Sequence, residues 1–191
     1  MYHMSGAVAG VLSSLDRVLL DAGTIQRRVA ELAREIERDF AGGELSVVTL
    51  MDGALFFVAD LLRSIDLPVR LHTLTVSSYH GGTNTTGRVQ MAQTLPFDLT
   101  TRHVLLIDDI LDTGLTLATV RERILAECKP ETLRVAVLLS KRRQREREVP
   151  VDYAGFEIDD EFVVGYGMDY QGHYRNLPCI GILNPGRLPQ P

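Results

Sequence analysis

One segment decides the fold of this chain: residues 104–117, which read VLLIDDILDTGLTL. Its first four residues are all apolar, the pattern of a parallel strand that is covered on both faces. Two adjacent carboxylates, Asp108 and Asp109, end this run, and a polar turn through Gly114 leads into helical spacing over Leu115–Glu127. The segment therefore predicts a buried strand, a tight turn and a helix.

The same alternation of strand and helix patterns continues on both sides of this segment. Strand patterns occupy Leu45–Met51, Val69–Ser78, Val104–Ile107, Leu133–Leu139, Phe162–Gly165 and Ile180–Leu183. Helical patterns occupy Thr24–Phe40, Ala54–Ile65 and Leu115–Glu127. This order predicts an α/β protein with a mainly parallel twisted sheet and helices on both faces.

Composition limits the function classes that are open to the chain. Its 191 residues fit one domain, and its formal net charge of −5 argues against general nucleic-acid binding, which normally uses a basic face. The two cysteines, Cys128 and Cys179, are too few for a disulfide framework, so a reduced cytoplasmic setting is expected. No apolar run is long enough for a membrane span, and residues 1–15 are expected to be a disordered leader.

The turn after the buried strand has the features of an anion site. Backbone N–H groups at the start of a helix lack internal partners and carry partial positive charge. Gly114 would let a phosphate approach the backbone, and the hydroxyls of Thr113 and Thr116 could add donors. A simple helix cap by Asp112 and Thr113 is the alternative, but it leaves the acid pair before the turn unexplained. We therefore expect a phosphate or metal–phosphate site.

The segment resembles the phosphoribosyl-diphosphate (PRPP) signature of type I phosphoribosyltransferases, which is an apolar strand, two acids, two apolar residues, Asp-Thr-Gly, any residue and Thr. Two further features resemble the purine-binding half of the hypoxanthine-guanine branch. They are Lys141 directly after a strand and the stretch Phe162–Tyr170, which is followed by Arg175. The resemblance extends from about Leu19 to Leu183, nearly the whole chain.

The resemblance implies a purine-salvage enzyme that transfers the 5-phosphoribosyl group of PRPP to N9 of hypoxanthine or guanine. The products would be IMP or GMP and diphosphate, with Mg²⁺ as cofactor. It also implies one domain over residues 16–191, with a core at about 45–140 and a purine-binding hood from about 16–40 and 150–185. The expected partners are these small molecules and further copies of the chain, as a homodimer or homotetramer, without nucleic acid or membrane.

For the PRPP side, the resemblance assigns the ribose hydroxyls to Asp108 and Asp109. Asp112 becomes the general acid or base for the proton at purine N7, which suits a positioned carboxylate. The 5′-phosphate loop corresponds to residues 113–116, comprising Thr113, Gly114, Leu115 and Thr116. Leu115 stands where some relatives carry Lys, and its side chain is expected to leave the site.

For the base, the resemblance assigns Lys141 to O6, where an ammonium donor favours an oxo group over an amino group. Phe162 would stack on the ring, the backbone of Val163 would contact its far edge, and Asp169 would lie beside it. Asp169 is also the expected Mg²⁺ ligand, together with substrate oxygens, and Asp108 and Asp109 are further candidates.

For the diphosphate, the resemblance assigns the loop Met51-Asp52-Gly53 and the side chain of Arg175. Relatives often carry Lys at the position of Asp52, and the peptide bond before it is often cis. An Asp there is expected to point away from the diphosphate. Ser78 and Tyr79 correspond to the start of a lid that excludes water from the reacting sugar.

Two other functions remain open on the sequence. A xanthine-preferring phosphoribosyltransferase would differ only in the surroundings of purine C2, near Val163 and Asp169. A regulatory protein of the same fold that binds nucleotides and RNA has some support from the basic stretch Arg142–Arg147. The net charge and the presence of Asp112 argue against the regulatory alternative, and a charged run with interleaved Glu is usually a solvated face.

Overall fold

A computed structural model describes residues 12–78, 89–90 and 94–184, with the backbone alone at 77–78 and 89–90. The strands are β1 (Leu15–Leu20), β2 (Leu45–Met51), β3 (Val69–Thr75), β4 (Ser77–Ser78), β5 (Val89–Gln90), β6 (His103–Leu111), β7 (Thr132–Lys141), β8 (Tyr153–Ile158), β9 (Val163–Val164) and β10 (Ile180–Leu183). The helices are α1 (Ala22–Asp39), α2 (Leu55–Arg63) and α3 (Leu115–Cys128).

The main sheet has five strands in the order β3-β2-β6-β7-β8, and every neighbouring pair is parallel. Because successive side chains of a strand face opposite sides, the apolar runs of β2, β6 and β7 supply two cores at once. Helices α1 and α2 pack with one face, which includes Val47, Leu105 and Leu138. Helix α3 packs with the other face, which includes Val48 and Leu106. This confirms the expected fold class.

The strand order reverses between β2 and β6. The chain first adds β3 on one side of β2 and then crosses to β6 on the other side. In open α/β sheets, ligands bind in the crevice beyond the carboxyl ends of the strands at such a switch point. The two segments that leave this point are residues 52–54 after β2 and residues 112–114 after β6.

A second, antiparallel sheet of three strands has the order β1-β10-β9. It has a small core of its own, formed by Leu15, Val164, Tyr174, Leu177, Cys179 and Leu183. The segment between β9 and β10 turns through Gly165–Met168 and carries Asp169 and Arg175. It thereby presents polar side chains next to the switch point of the main sheet.

Several predicted element bounds differ from the structure, and the expected strand Val69–Ser78 divides into β3 and β4. Strand β6 continues beyond Ile107 to Leu111, because backbone pairing with β7 extends to Leu111 and Ser140. Strand β8 was not predicted, since its sequence YAGFEI has a central glycine, and it extends the main sheet from within the range 150–185 that was assigned to the hood. The division into core and hood otherwise stays a prediction.

Strand β1 was also missed, and it begins inside the expected leader of residues 1–15. Leu15 is only 8% exposed and packs in the core of the small sheet, so it is not part of a disordered leader. Residues 1–11 lie outside the described part of the chain. In the part that is described, no helix has the length and apolar character needed to cross a membrane.

Adjacent residues of α3 test the two-core arrangement. Ile124 is fully buried and packs in the core beneath α3, whereas its neighbour Leu125 is 40% exposed. We expect Ile124→Ala to lower the free energy of unfolding by about 2–5 kcal/mol, because it leaves a cavity in a packed core. Leu125→Ala is the matched control and should change it by less than about 1 kcal/mol. Urea unfolding measures both, and equal effects would contradict this packing.

Candidate active site

A cleft of about 680 Å³ lies at the carboxyl edge of the main sheet. It is lined by Leu50, Met51, Gly53, Val76, Asp108, Asp109, Ile110, Leu111, Asp112, Thr113, Gly114, Thr116, Leu117, Lys141, Phe162, Val163, Met168, Asp169 and Arg175. These residues come from both sheets and meet at the switch point. The cleft therefore brings together most of the residues that the sequence singled out.

The acid pair lies near the end of β6, where burial keeps it poorly hydrated. The residue Asp108 is 9% exposed, and its Oδ1 accepts a hydrogen bond from the backbone N–H of Asp109 at 3.0 Å. Oδ1 of Asp109 accepts from the N–H of Ile110, also at 3.0 Å. Burial, and then the neighbouring Asp109 charge, raise the pKa of Asp108 well above its ordinary value. Burial also raises the pKa of Asp109. Two such groups favour a ligand that donates hydrogen bonds or carries positive charge.

The loop after β2 lies directly against this acid pair. A Cβ on Gly53 would overlap the carboxylate of Asp109, so only glycine allows the loop to lie this close. The peptide bond between Met51 and Asp52 is cis, as the resemblance implied. The side chain of Asp52 is exposed and does not line the cleft.

The turn after β6 places Thr113, Gly114 and Thr116 at the cleft, where α3 begins. Gly114 caps the helix with a φ of 80°, and a Cβ there would overlap the carbonyl oxygen of Arg147. The carbonyl of Thr113 accepts from the backbone N–H groups of Glu146 and Arg147 at 3.0 and 3.1 Å. Thr116 lines the cleft whereas Leu115 does not. The turn is thus a concave set of N–H donors and hydroxyls without a basic side chain, which suits a phosphate.

Four charged side chains form a closed cluster at one wall of the cleft. Lys141 Nζ lies 3.0 Å from Oδ2 of Asp112 and 3.3 Å from Oδ1 of Asp160. Arg143 Nη1 lies 2.9 Å from Oδ1 of Asp112 and 3.3 Å from Oδ1 of Asp160. The side chain of Lys141 is only 9% exposed, so two carboxylates offset the cost of burying its charge. Arg143 and Asp160 were not among the predicted site residues.

An aromatic ring lies exposed at another wall of the cleft. Phe162 is 57% exposed although it is large and apolar, while the next residue, Val163, is buried. The ring of Tyr170 meets that of Phe162 edge to face, with centroids 5.9 Å apart. An exposed phenyl ring in a concave site is available to stack on a flat ligand.

The segment between β9 and β10 contributes an acid–base pair. Oδ1 of Asp169 lies 2.8 Å from Arg175 Nη2, and its Oδ2 accepts from the N–H of Gly172 at 2.7 Å. Arg175 also donates to the carbonyl of Gly167 at 2.6 Å, which holds its guanidinium at the cleft. Both side chains line the cleft.

The acidic side chains of the cleft offer oxygen ligands of the kind that Mg²⁺ prefers. This ion usually takes one or two carboxylates together with substrate phosphates and water. Asp108, Asp109 and Asp169 all line the cleft, so the donor chemistry fits. Over residues 12–78, 89–90 and 94–184, no three or more His, Cys, Asp or Glu side chains group as a metal cluster.

Two predicted site residues are not tested by this geometry. Tyr79 lies outside the described residues, and at Ser78 only the backbone is described, paired with Val89. The missed pair, Arg143 and Asp160, carried a weak signal. Each lies two residues beyond the end of a strand, but only the register of β7 and β8 reveals that they meet.

A parallel α/β sheet with a helix-start anion turn and a buried acid pair at its switch point defines an enzyme of the phosphate-handling class. Residues 18–171 match the family described as phosphoribosyl transferase domain. The chain belongs to this family of transferases.

Known relatives are similar to this chain over nearly its whole length. A hypoxanthine-guanine phosphoribosyltransferase of Staphylococcus aureus strain Mu50 is 41% identical over 173 residues, which is 91% of this chain and 96% of the relative. The crystal structure of a hypoxanthine phosphoribosyltransferase from S. aureus superposes with a TM-score of 0.87 at 37% identity, covering 98% of this chain and 100% of that one. The Trypanosoma cruzi hypoxanthine phosphoribosyltransferase in complex with the product IMP gives 0.82 at 33% identity, covering 91% and 96%.

The buried acid pair predicts a pH-dependent cost to folding in the ligand-free protein. The pKa of Asp108 is raised in the folded state, so folding favours the protonated side chain. The contribution of Asp108 to the free energy of unfolding is therefore fully present below the ordinary Asp pKa of about 4, and it is lost as the pH rises through the raised pKa. We expect Asp108→Asn to raise the melting temperature at neutral pH and to give a smaller gain as pH falls toward about 4.

Thermal melts of the ligand-free protein across this pH range measure the effect. The same substitution at exposed Asp16 on β1 controls for the loss of one formal charge. An Asp108→Asn protein that is less stable than the wild type at neutral pH, or whose gain does not depend on pH, would contradict the burial argument.

Proposed function

We propose that this chain transfers the 5-phosphoribosyl group from PRPP to N9 of hypoxanthine and guanine, yielding IMP or GMP and diphosphate in purine salvage. The observation that carries the proposal is the shared cleft. A phosphate turn, an acid pair and a wall with a buried lysine and an exposed phenyl ring line one cavity of about 680 Å³. The names of the relatives support the same activity.

The 5′-phosphate binds in the turn of residues 113–116. The N–H groups at the start of α3 and the hydroxyls of Thr113 and Thr116 donate to its oxygens. Asp108 and Asp109 accept from the ribose hydroxyls, which are donors that can approach a buried carboxylate pair without adding charge. The sugar phosphate is therefore oriented from both ends, with its anomeric carbon between the base and the diphosphate.

The base binds between Lys141, Phe162 and Val163. The ammonium of Lys141 donates to O6, and the ring of Phe162 stacks on the purine, with Tyr170 supporting its edge. Asp112 accepts the proton at N7 as the new bond to N9 forms. An amino group at position 6 would meet the ammonium donor, so adenine is disfavoured.

The diphosphate leaves toward the loop of residues 51–53 and Arg175. Backbone groups near Met51 and Gly53 and the guanidinium of Arg175 contact it. Asp169 is the proposed ligand of Mg²⁺, with Asp108 and Asp109 as further ligands. When bound, Mg²⁺ would neutralise and orient the leaving diphosphate. Displacement at the anomeric carbon is dissociative, so exclusion of water by the cleft, with a lid that begins at Ser78 and Tyr79, protects the sugar from hydrolysis.

The two alternatives have less support. The relatives are named for hypoxanthine and guanine, which does not favour a xanthine preference. The basic stretch that favoured RNA binding is paired with carboxylates: Arg142 with Glu157 and Asp159, Arg143 with Asp112 and Asp160, Arg145 with Glu148, and Arg147 with Glu122. Such pairing is the solvated face that interleaved charges usually form. Assembly as a homodimer or homotetramer is a proposal that rests on the family resemblance.

A panel of bases tests the proposed reaction. The protein is incubated with PRPP and Mg²⁺, and diphosphate release is followed with hypoxanthine, guanine, xanthine and adenine. Turnover is expected with hypoxanthine and guanine and should exceed that with adenine or xanthine. Inactivity with both hypoxanthine and guanine would refute the proposal, and faster turnover with xanthine would establish the first alternative.

The role of Asp112 predicts a separation of chemistry from binding. Asp112→Asn keeps the size of the side chain but replaces one acceptor oxygen with an NH₂ group and cannot take a proton at N7. We expect kcat to fall about 10²–10⁴-fold, with the affinity for PRPP nearly unchanged. Initial rates and calorimetric titration measure the two quantities. Equal losses in kcat and in PRPP affinity would show that Asp112 holds PRPP instead.

A further inference from the structure

Two adjacent arginines, Arg142 and Arg143, contact different carboxylates. Arg142 pairs with Glu157 and Asp159 at 3.4 Å, and neither of these acids lines the cleft. Arg143 instead donates to Oδ1 of Asp112 at 2.9 Å, and Asp112 does line the cleft. One arginine thus reaches the proposed proton acceptor while its neighbour serves as an internal comparison.

The four charges around Arg143 form a closed ring of alternating sign. Asp112 presents one oxygen to each cation: Oδ1 to Arg143 and Oδ2 to Lys141. Asp160 closes the ring with its Oδ1, which lies 3.3 Å from both cations. Lys141 and Asp112 line the cleft, whereas Arg143 and Asp160 do not. The ring therefore has one side on the base-binding wall and one side behind it.

The backbone brings the rear half of the ring into place. Lys141 and Ile158 are paired in the register of β7 and β8, and the N–H of Arg142 donates to the carbonyl of Ile158 at 2.8 Å. Arg143 and Asp160 each follow this pair by two residues. Because both strands end here side by side, their next side chains are close enough to form the ion pair.

We infer that Arg143 is a positioning residue for the reaction, an inference that rests on the proposed function. By holding Oδ1 of Asp112 it keeps that carboxylate from turning both oxygens onto Lys141. Oδ2 is then directed to the proton at N7, and Lys141 keeps a donor for O6. Asp160 contacts both cations on the side away from the cleft. When Lys141 turns to the base, Asp160 still balances the charge of Arg143.

The size of the effect follows from the exposure of the ring. The side chain of Arg143 is 35% exposed and that of Asp112 is 39% exposed, so water screens their attraction. Arg143 does not touch the reacting atoms and acts through the orientation of Asp112. We therefore expect a loss of about three- to tenfold in kcat, well short of the loss for Asp112→Asn.

The test compares Arg143→Met with Arg142→Met, since methionine retains an unbranched apolar stem and removes the charge. Initial rates are measured with hypoxanthine, PRPP and Mg²⁺. We expect Arg143→Met to lower kcat about three- to tenfold with an unchanged KM for PRPP, and Arg142→Met to match the wild type. Arg143→Lys should recover most of the rate. Matched melting temperatures of both Met variants exclude a general loss of structure.

A double-mutant cycle separates positioning from a structural role. In an Asp112→Asn protein, whose slow rate is followed with radiolabelled hypoxanthine, Arg143→Met should have no further effect, because the group it orients no longer takes a proton. An undiminished loss in that background, or equal rates for Arg143→Met and Arg142→Met, would overturn the inference. A wild-type protein that is inactive with hypoxanthine and guanine would instead refute the proposed function.

Discussion

The contact between Gly114 and the carbonyl of Arg147 is the constraint on which the site depends. A left-handed residue without a Cβ ends the turn after β6 there, and α3 begins at the next residue. The same contact brings the chain after β7 over the turn, where Thr113 accepts two of its backbone N–H groups. Gly114 thus links the phosphate turn to the end of β7 at Lys141 and to Arg143 just beyond it.

Under the proposed function, this arrangement explains how an acidic protein would bind a polyanion. The chain carries a net charge of −5, yet PRPP is strongly negative. Backbone amides give the phosphate turn, residues 113–116, partial positive charge, so the turn needs no lysine. This is consistent with Leu115, which stands where some relatives carry Lys. In the proposed function, the carboxylates of the cleft are left for ribose hydroxyl donors, a purine proton and Mg²⁺. Fixed dipoles and hydrogen bonding, rather than bulk charge, then govern recognition.

The sequence predicts those parts of the fold that local patterns determine. Leu45–Met51 and Ile180–Leu183 have the predicted bounds because each is an apolar run between polar or glycine-rich segments. Strand β8 lacked such a run, because Gly155 and Glu157 interrupt its apolar residues. Most of the family-motif residues were found in the cleft. The contact of Arg143 with Asp160 could not be predicted, because it depends on the register of two strands and joins residues 17 positions apart.

The most direct measurement of the central claim is the affinity of the Gly114→Ala protein for IMP, the proposed product that occupies both the phosphate turn and the base wall. Gly42→Ala is the matched control, because Gly42 has a similar φ of 82° but nothing within 4 Å of an added Cβ. Titration calorimetry should show at least about tenfold weaker binding of IMP for Gly114→Ala and wild-type affinity for Gly42→Ala. Circular dichroism should show that both variants are folded. Equal affinities would contradict the account.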